Sequence, residues 1–442
     1  MANIIPFRGI FYNREKIKEL SRVVAPPYDV ISGEAQERYY EMSQYNVIRL
    51  ILGKDFPGDN ETNNRYTRAG EFFQRWLEEG ILIRDESPSI YLLEEDYELG
   101  SDIFGEVESH IGKGKIINRR GVIALAQLED FSKGIVRPHE ATMAEPKRDR
   151  LNLLRACRAN FSQIFTIYED PESRIDRLWK EKRNEAPLFD IINGGNIRHR
   201  LWGVKDQKSL NWIVEGMRDR KLSIADGHHR YESALEYRNE LRKSNPRHSV
   251  QESYNYVMAY FVNMENGGLE ILPIHRAIRN FEGFDGKRLI DGVGKYFDIK
   301  KFNNLKELLG QLKNEKAKHR IGMCMEGNEF YLLSLKEERI TEGFMKGRAE
   351  IFRQLDVVRL HNLIIENVLR ISPESQGSIT YSEKINETVA NVRGGSHCVA
   401  FFLRPIRVSE FKAIVEAGEI MPKKSTYFYP KLLSGLIINK ID

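Results

Sequence analysis

The residues best suited to chemistry lie in one short run, Asp226-Gly-His-His-Arg230, which follows a short apolar stretch. The pattern predicts a strand, a tight turn at Gly227, and a helix whose first turn holds His228, His229 and Arg230. The first amides of a helix lack intrahelical partners and bear partial positive charge. With two imidazoles and a guanidinium added, the motif predicts a binding site for phosphate or another oxyanion. A surface or helix-cap role for the two histidines is the alternative interpretation.

A second concentration of polar side chains lies between residues 135 and 150, where two prolines predict an irregular loop. Loops held on a scaffold often present catalytic groups. Glu140 is a candidate base and His139 a candidate acid or base, whereas Lys147 and Arg150 would add positive charge to a phosphate site. A solvated charged loop is the alternative. The His-Glu pair is not followed by the second histidine of a zinc-protease motif, so the spacing excludes that kind of metal site.

Two further stretches near the ends of the chain add candidates. The prolines of Ala25-Pro-Pro-Tyr-Asp29 hold the chain extended, so that Asp29, a second candidate base, would be presented at a fixed place. Lys424, Ser425 and Thr426 lie among cations and aromatic residues, a composition that suits contact with phosphate or stacking on a base. A structural turn and a terminal strand packed by its aromatics are the respective alternatives.

The composition excludes several classes of protein. The 442 residues exceed one ordinary domain, and 68 basic against 64 acidic residues provide no broad field for holding nucleic acid. The three cysteines are far apart and predict a reducing, cytoplasmic setting without disulfides. The first residues do not form a signal peptide, and no apolar run reaches the ~18 residues of a membrane span.

Apolar periodicity places these motifs among strands and helices. Residues 255–263 are apolar on both faces and predict a central strand. The helix after the glycine turn is expected to run to about residue 243. Residues 46–52 predict another strand, whereas the spacing in 360–369 predicts a helix that leaves His361 exposed. A hairpin or loop tip is expected at residues 105–115, where glycines and lysines alternate.

Five stretches of the chain together resemble an uncharacterised prokaryotic family, domain of unknown function 1015. Its blocks are found here at 25–32, 137–140, 225–232, 272–276 and 424–431. The histidine-histidine-arginine motif after a strand resembles the phosphate-binding signature of the ParB/sulfiredoxin fold, which ParB-type CTPases, sulfiredoxin and free serine kinases share. The resemblance implies an α/β (α+β) protein. A ParB/sulfiredoxin-like first domain with insertions, residues 1–280, would precede a smaller α+β domain, residues 281–442, whose C-terminal segment would cover the site.

The leading hypothesis is a phosphotransferase or phosphohydrolase acting on a small phosphorylated metabolite. The resemblance to free serine kinases implies serine or phosphoserine as substrate, with ADP or ATP and Mg²⁺. The alternative is a ParB-like, nucleotide-gated binding protein, which predicts a helix-turn-helix and a basic face that the sequence does not show. Sulfiredoxin-like repair would need a cysteine where His228 stands. Metal ligands, the direction of the reaction and the oligomeric state, a homo-oligomer included, stay open at this point.

Overall fold

The computed structural model describes residues 2–99, 115–312, 319–372 and 377–442. Within these ranges the chain is a mixed α/β protein, so the predicted fold class is confirmed. The hairpin predicted for residues 105–115 lies, apart from Lys115, outside the described residues. Within the same ranges, no helix is long and apolar enough to span a membrane.

Strands and helices alternate along the described chain. The strands are β1 (Ile4–Ile5), β2 (Ile10–Tyr12), β3 (Leu82–Arg84), β4 (Ile90–Tyr97), β5 (Ile117–Gln127), β6 (Val136–Arg137), β7 (Ala159–Asn160), β8 (Ile164–Tyr168), β9 (Phe189–Ile192), β10 (Arg198–Val204), β11 (Leu222–Asp226), β12 (Tyr256–Asn263), β13 (Glu270–Leu272), β14 (His275–Arg279), β15 (Phe297–Phe302), β16 (Arg320–Met325), β17 (Glu329–Leu335), β18 (Ile379–Ser382), β19 (His397–Phe402), β20 (Tyr427–Tyr429) and β21 (Asn439–Lys440). The helices are α1 (Gly33–Met42), α2 (Ile48–Ile51), α3 (Arg65–Glu78), α4 (Ala144–Cys157), α5 (Leu178–Lys182), α6 (Gln207–Met217), α7 (His228–Ser244), α8 (Gly286–Val293), α9 (Leu305–Leu312), α10 (Arg339–Phe344), α11 (Glu350–Gln354), α12 (Asp356–Arg359), a π-helix (Leu360–Glu366), α13 (Ile385–Arg393) and α14 (Val408–Glu416).

One large mixed sheet organises the first part of the chain. Its strand order is β6-β11-β8-β12-β5-β4-β10-β9, and β1 also pairs with β5. The pairs β6–β11 and β8–β12 are parallel. Strand β12 lies between β8 and β5 with every side chain buried, which confirms the central strand predicted over residues 255–263.

Apolar side chains cover both faces of this sheet, because successive residues of a strand point to opposite sides. On one face, Ala124 of β5 belongs to the same buried cluster as Leu151 of α4 and Tyr231 of α7. On the other face, its neighbour Ile123 belongs to the cluster that includes Phe401 of β19. The large sheet is therefore packed between two helices and the second half of the chain.

The second sheet is antiparallel and has the strand order β15-β17-β16-β19-β14-β18. Its strand β14 precedes residue 281, the boundary expected from the sequence. The division into domains at residues 1–280 and 281–442 stays a prediction.

The C-terminal segment returns to the first part of the chain. Strand β20 pairs with β13, and β21 pairs with β7. Arg119 of β5 is fully buried beside this segment, and it pairs in register with Glu95 of β4, which pairs with His199 of β10; these two residues are also fully buried. Arg119 donates to Glu95 and to the Pro430 carbonyl oxygen, each at 2.7 Å, so the large sheet holds the segment in place.

Two predictions from apolar spacing are wrong. Residues 46–52 contain helix α2 instead of a strand, because the Asn46 side chain accepts the Ile48 amide at 2.9 Å and begins a helical turn. A short apolar run fits a buried helix and a buried strand equally well. His361 is 7% exposed, not exposed as predicted, and its Nε2 accepts a hydrogen bond from Arg276 Nε at 3.4 Å.

We expect Arg119→Met to lower the free energy of unfolding by about 3–5 kcal/mol, because the Glu95 carboxylate would stay buried without its guanidinium. Urea denaturation followed by circular dichroism measures this loss. Arg120→Met is the matched control, since the adjacent side chain points to the opposite face and is only half-buried. Its expected loss is below about 1 kcal/mol. Equal losses in the two variants would contradict the structural role of Arg119.

Candidate functional site

The predicted strand, glycine turn and helix are found where the sequence places them. Strand β11 ends at Asp226, Gly227 has a φ of +95°, and α7 begins at His228. A Cβ atom on Gly227 would lie 3.0 Å from Nη2 of Arg230, whose guanidinium folds back across the turn. The glycine is thus needed both for its left-handed backbone and for the close approach of Arg230.

Asp226 lies at the centre of a group of charges around this turn. It accepts a hydrogen bond from Nη2 of Arg230 at 2.6 Å and forms an ion pair with Lys431. Burial by itself would raise the pKa of Asp226, but the Lys431 and Arg230 charges outweigh it and lower that pKa. Asp226 is therefore ionised and holds both cations at the start of α7.

His139, which precedes α4, and His228, the first residue of α7, lie next to each other beside this turn. His139 and His228 are buried, with their ring centroids 4.5 Å apart. Nδ1 of His139 lies 2.7 Å from the Ile224 carbonyl oxygen, and its Nε2 lies 2.8 Å from the Thr426 hydroxyl. Burial lowers the pKa of His139 to about 4 and that of His228 well below its ordinary value. Both rings are neutral and form hydrogen bonds inside the protein.

Residues 144–150 are helical, although the sequence predicts a loop there. Helix α4 begins at Ala144, so Pro146 lies in the first turn, where no intrahelical N–H bond is lost. His229 of α7 accepts the Met143 amide at 2.9 Å and ties the starts of the two helices together. Lys147 on α4 lies 3.9 Å from a carboxylate oxygen of Glu232. Lys147 thus faces the acidic side of α7.

Arg150 also lies on α4 and is 6% exposed. Its Nε donates to Asp149 at 2.7 Å and its Nη1 donates to the Ile51 carbonyl oxygen at 2.7 Å. The guanidinium carbon lies 3.8 Å from the centre of the Tyr28 ring. Arg150 therefore holds the Pro-Pro-Tyr-Asp segment against α4 by a cation–π contact.

The C-terminal segment brings Lys424 to the two candidate bases. The Lys424 amide donates to Oε1 of Glu140 at 2.9 Å, and its ammonium lies 3.6 Å from Oδ2 of Asp29. Burial raises the pKa of Glu140, partly offset by its bond to the Lys424 amide. Ser425 donates to the Pro422 carbonyl oxygen at 2.5 Å. Asp29, Glu140 and Lys424 are thus brought together on the same side of the molecule.

Arg276 fixes the backbone of Lys424 from the second sheet. Lys424 has a φ of +56°, which is uncommon for a residue with a side chain. Nη2 of the fully buried Arg276 donates to the Lys424 carbonyl oxygen at 2.9 Å, and its Nη1 donates to Ile274. The guanidinium lies 5.6 Å from the centre of the Tyr381 ring. Arg276 belongs to the sequence block at 272–276 and extends the site into the second sheet.

Two residues of the charge group were not among the sequence candidates for substrate contact. Lys431 is the last residue of the block at 424–431, and a cation in that block is the sequence signal that points to it. Asp226 precedes the glycine turn, and its central place follows only from the contacts it makes. Among the described residues, no group of three or more His, Cys, Asp or Glu side chains is arranged to hold a metal ion.

The match to known families covers most of the chain. A family described as proteins of unknown function, DUF1015, matches residues 4–358. The chain belongs to the DUF1015 family. The resemblance that the sequence blocks predict is therefore confirmed. No curated protein matches this family member in sequence.

Solved structures show distant likenesses to this DUF1015 protein. A mutant free serine kinase in complex with AMP has 11% identity and a TM-score of 0.35, with 70% of this chain and 87% of the kinase covered. A conserved hypothetical protein from Pyrococcus furiosus has 11% identity and a TM-score of 0.34, with coverages of 71% and 93%. C-terminally truncated SbnI from Staphylococcus aureus has 11% identity and a TM-score of 0.33, with coverages of 72% and 82%. The ParB/sulfiredoxin-like assignment of the first domain stays a prediction.

We expect Gly227→Ala to destabilise the protein more than Gly134→Ala does. Both glycines have positive φ, +95° and +65°, so each alanine costs about 1–2 kcal/mol in backbone conformation. Only at Gly227 would the new Cβ meet a neighbour, the Arg230 guanidinium, whereas nothing lies within 4 Å at Gly134. Displacing Arg230 from Asp226 should add about 1–3 kcal/mol. Chemical denaturation compares the two variants, and equal losses would mean that the Arg230 contact is unimportant.

Proposed function

We propose that this protein binds the phosphate group of a small metabolite or nucleotide at the start of α7 and catalyses its transfer or hydrolysis. The observation that carries the proposal is the meeting of chain segments that are far apart in sequence. Four separate stretches supply two neighbouring groups: Asp29 and Glu140 contact Lys424, and Arg230 and Lys431 contact Asp226 at the glycine turn. The two groups are close enough for the Lys424 charge to lower the pKa of Asp226. Ion pairs with a purely structural role would not need to gather at the N-terminus of a helix.

The start of α7 and the surrounding cations would bind the phosphate. The first hydrogen bond within the helix runs from the Tyr231 amide to the Gly227 carbonyl oxygen, so the amides of the preceding three residues point out of the helix end. Arg230 and Lys431 are already held beside these amides by Asp226. Donors fixed before the ligand arrives stabilise developing negative charge without reorganisation, which favours phosphoryl transfer.

Glu140 is the group we assign to proton transfer. Its raised pKa lets it exchange a proton at a pH nearer to neutral than an ordinary glutamate does. Asp29 is the second carboxylate at Lys424 and would orient the nucleophile. We assign His139 a positioning role, because it is buried and both of its ring nitrogens have partners.

The finer proposal concerns the ligands. Mg²⁺ is bound in many phosphoryl-transfer sites by one or two carboxylates together with the substrate phosphates. Asp29, whose carboxylate lies beside the Lys424 ammonium, would supply one such carboxylate. When bound, Mg²⁺ would neutralise phosphate charge. We propose an adenine nucleotide and serine or phosphoserine as the substrates, in either direction of reaction.

We expect ADP or ATP together with phosphoserine and Mg²⁺ to raise the thermal unfolding temperature, because ligands that bind only the folded state stabilise it. Lys431→Met should abolish the increase, since it removes a cation that Asp226 holds beside the helix start. Differential scanning fluorimetry measures each variant with and without ligand. Lys423→Met is the matched control, because Lys423 precedes Lys424 and has no ion pair among the described residues. An undiminished shift in Lys431→Met would count against the proposed phosphate site.

We expect Glu140→Gln to lower the transfer or hydrolysis rate roughly 10²–10⁴-fold while the ligand-induced thermal shift persists. A general base works only when deprotonated, so the wild-type rate should fall as the pH drops through the raised pKa of Glu140. This fall should occur at a higher pH than an ordinary glutamate would cause, and Glu140→Gln should remove it. Rates measured from pH 4 to 9 provide the comparison. An unchanged profile in the variant would assign the proton transfer to another group.

A further inference from the structure

A cavity of about 180 Å³ lies at the opposite end of β11 from the glycine turn. It is enclosed by the large sheet on one side and by α14 of the second half of the chain on the other. The polar residues that line it include Arg137, Tyr168, Lys221, Ser223 and Lys412. Ser223 and Gly227 are four residues apart, so the two sites are separated by about 13 Å along the strand.

The charges around this cavity are unbalanced. Arg137, Lys221 and Lys412 line it, together with Glu169 and Glu416. Lys412 is paired with Glu169 at 2.6 Å. Within the described ranges, neither Arg137 nor Lys221 has a carboxylate within ion-pair distance; Arg137 Nε donates only to the Gly134 carbonyl oxygen, at 3.3 Å. Of the remaining charges, the two cations Arg137 and Lys221 are opposed by one carboxylate, Glu416, so the lining has a net charge of +1. This positive charge, with the Ser223 side chain beside it, suits a small anion.

The cavity also touches the elements that build the candidate site. Arg137 and Ser223 are register partners on the parallel strands β6 and β11. Strand β6 leads within three residues to Glu140, and β11 leads to Asp226. Helix α14 supplies Lys412 to the cavity, and its adjacent residue Phe411 packs against the His139 ring at 4.8 Å between centroids. An occupant of the cavity would contact all three elements at once.

We propose that this cavity is a second binding site, which takes a small anion such as phosphate or a short carboxylate. Arg137 of β6, Lys221 just before β11 and Lys412 of α14 would converge on the anion. The bound anion would hold these three elements together beneath the candidate site. The proposal does not depend on the chemistry assigned to the start of α7, because its charges and lining belong to other residues.

The test uses the wild-type chain, and a repeat with Lys431→Met measures the contribution of the candidate site separately. The unfolding temperature is measured against increasing inorganic phosphate, with sodium chloride at matched ionic strength as the reference. We expect a saturable increase with phosphate that Lys221→Met reduces in the wild-type chain, since Lys221 is an exposed side chain whose loss should leave the fold intact. Arg137→Met should act in the same way. Lys208→Met is the control, because Lys208 is also exposed and lies on α6, away from the cavity lining.

A phosphate effect that Lys221→Met and Arg137→Met leave unchanged would overturn the proposal, as would the absence of any effect beyond that of sodium chloride. A parallel titration with malonate separates the ligand classes. Stabilisation by phosphate alone would assign a phosphate-bearing ligand, and stabilisation by malonate, alone or as well, would include carboxylates. Either result supports the site if the two substitutions remove it. If nucleotide and phosphoserine do not stabilise the protein but phosphate does so through Lys221 and Arg137, this second binding site stands and the proposed function does not.

Discussion

The ion pair between Asp226 and Lys431 is the contact on which the candidate site depends most. It joins residues 205 positions apart and lies where strand β11 gives way to the glycine turn. Because a buried charge is costly unless it is paired, Asp226 is stable there only with Lys431 and Arg230 beside it. Lys431 reaches this place only when the C-terminal segment has paired through β20 and β21. The last part of the chain therefore completes a site that the middle of the chain begins.

The uncharged rings of His139 and His228 form a hydrogen-bonded layer next to these charged residues. His139 links the Ile224 carbonyl oxygen on β11 to the Thr426 hydroxyl on the C-terminal segment, and His228 accepts the His139 amide at 3.3 Å. Hydrogen bonds between fully partnered buried groups are strengthened by the low local dielectric. This layer fixes the distance between strand and segment. The cations above it are thus positioned before any ligand arrives, which is the arrangement that electrostatic catalysis requires.

Local sequence signals predicted the turn and the central strand well, because both depend on neighbours in the chain. Gly227 permits a backbone that other residues avoid, and the apolar run of β12 is suited to burial on both faces. Local signals gave the wrong prediction at Pro146 and Asn46, where the structure has the starts of helices instead of a loop and a strand. Proline is compatible with the first turn of a helix, and an asparagine side chain can begin a helical turn, so each residue type permits more than one local structure.

The sequence by itself determined the family, the α/β class and the motif that presents Gly227 and Arg230, since these depend on residue types at short spacings. Only the tertiary structure decided which charges meet. Whether Asp29, Glu140 and Lys431 face one turn depends on how separate segments pack, and residue spacing contains no information about contacts across hundreds of positions. The burial that turns His139 into a neutral support is likewise a property of the assembled fold, because the surrounding protein excludes the water that would favour its charged form.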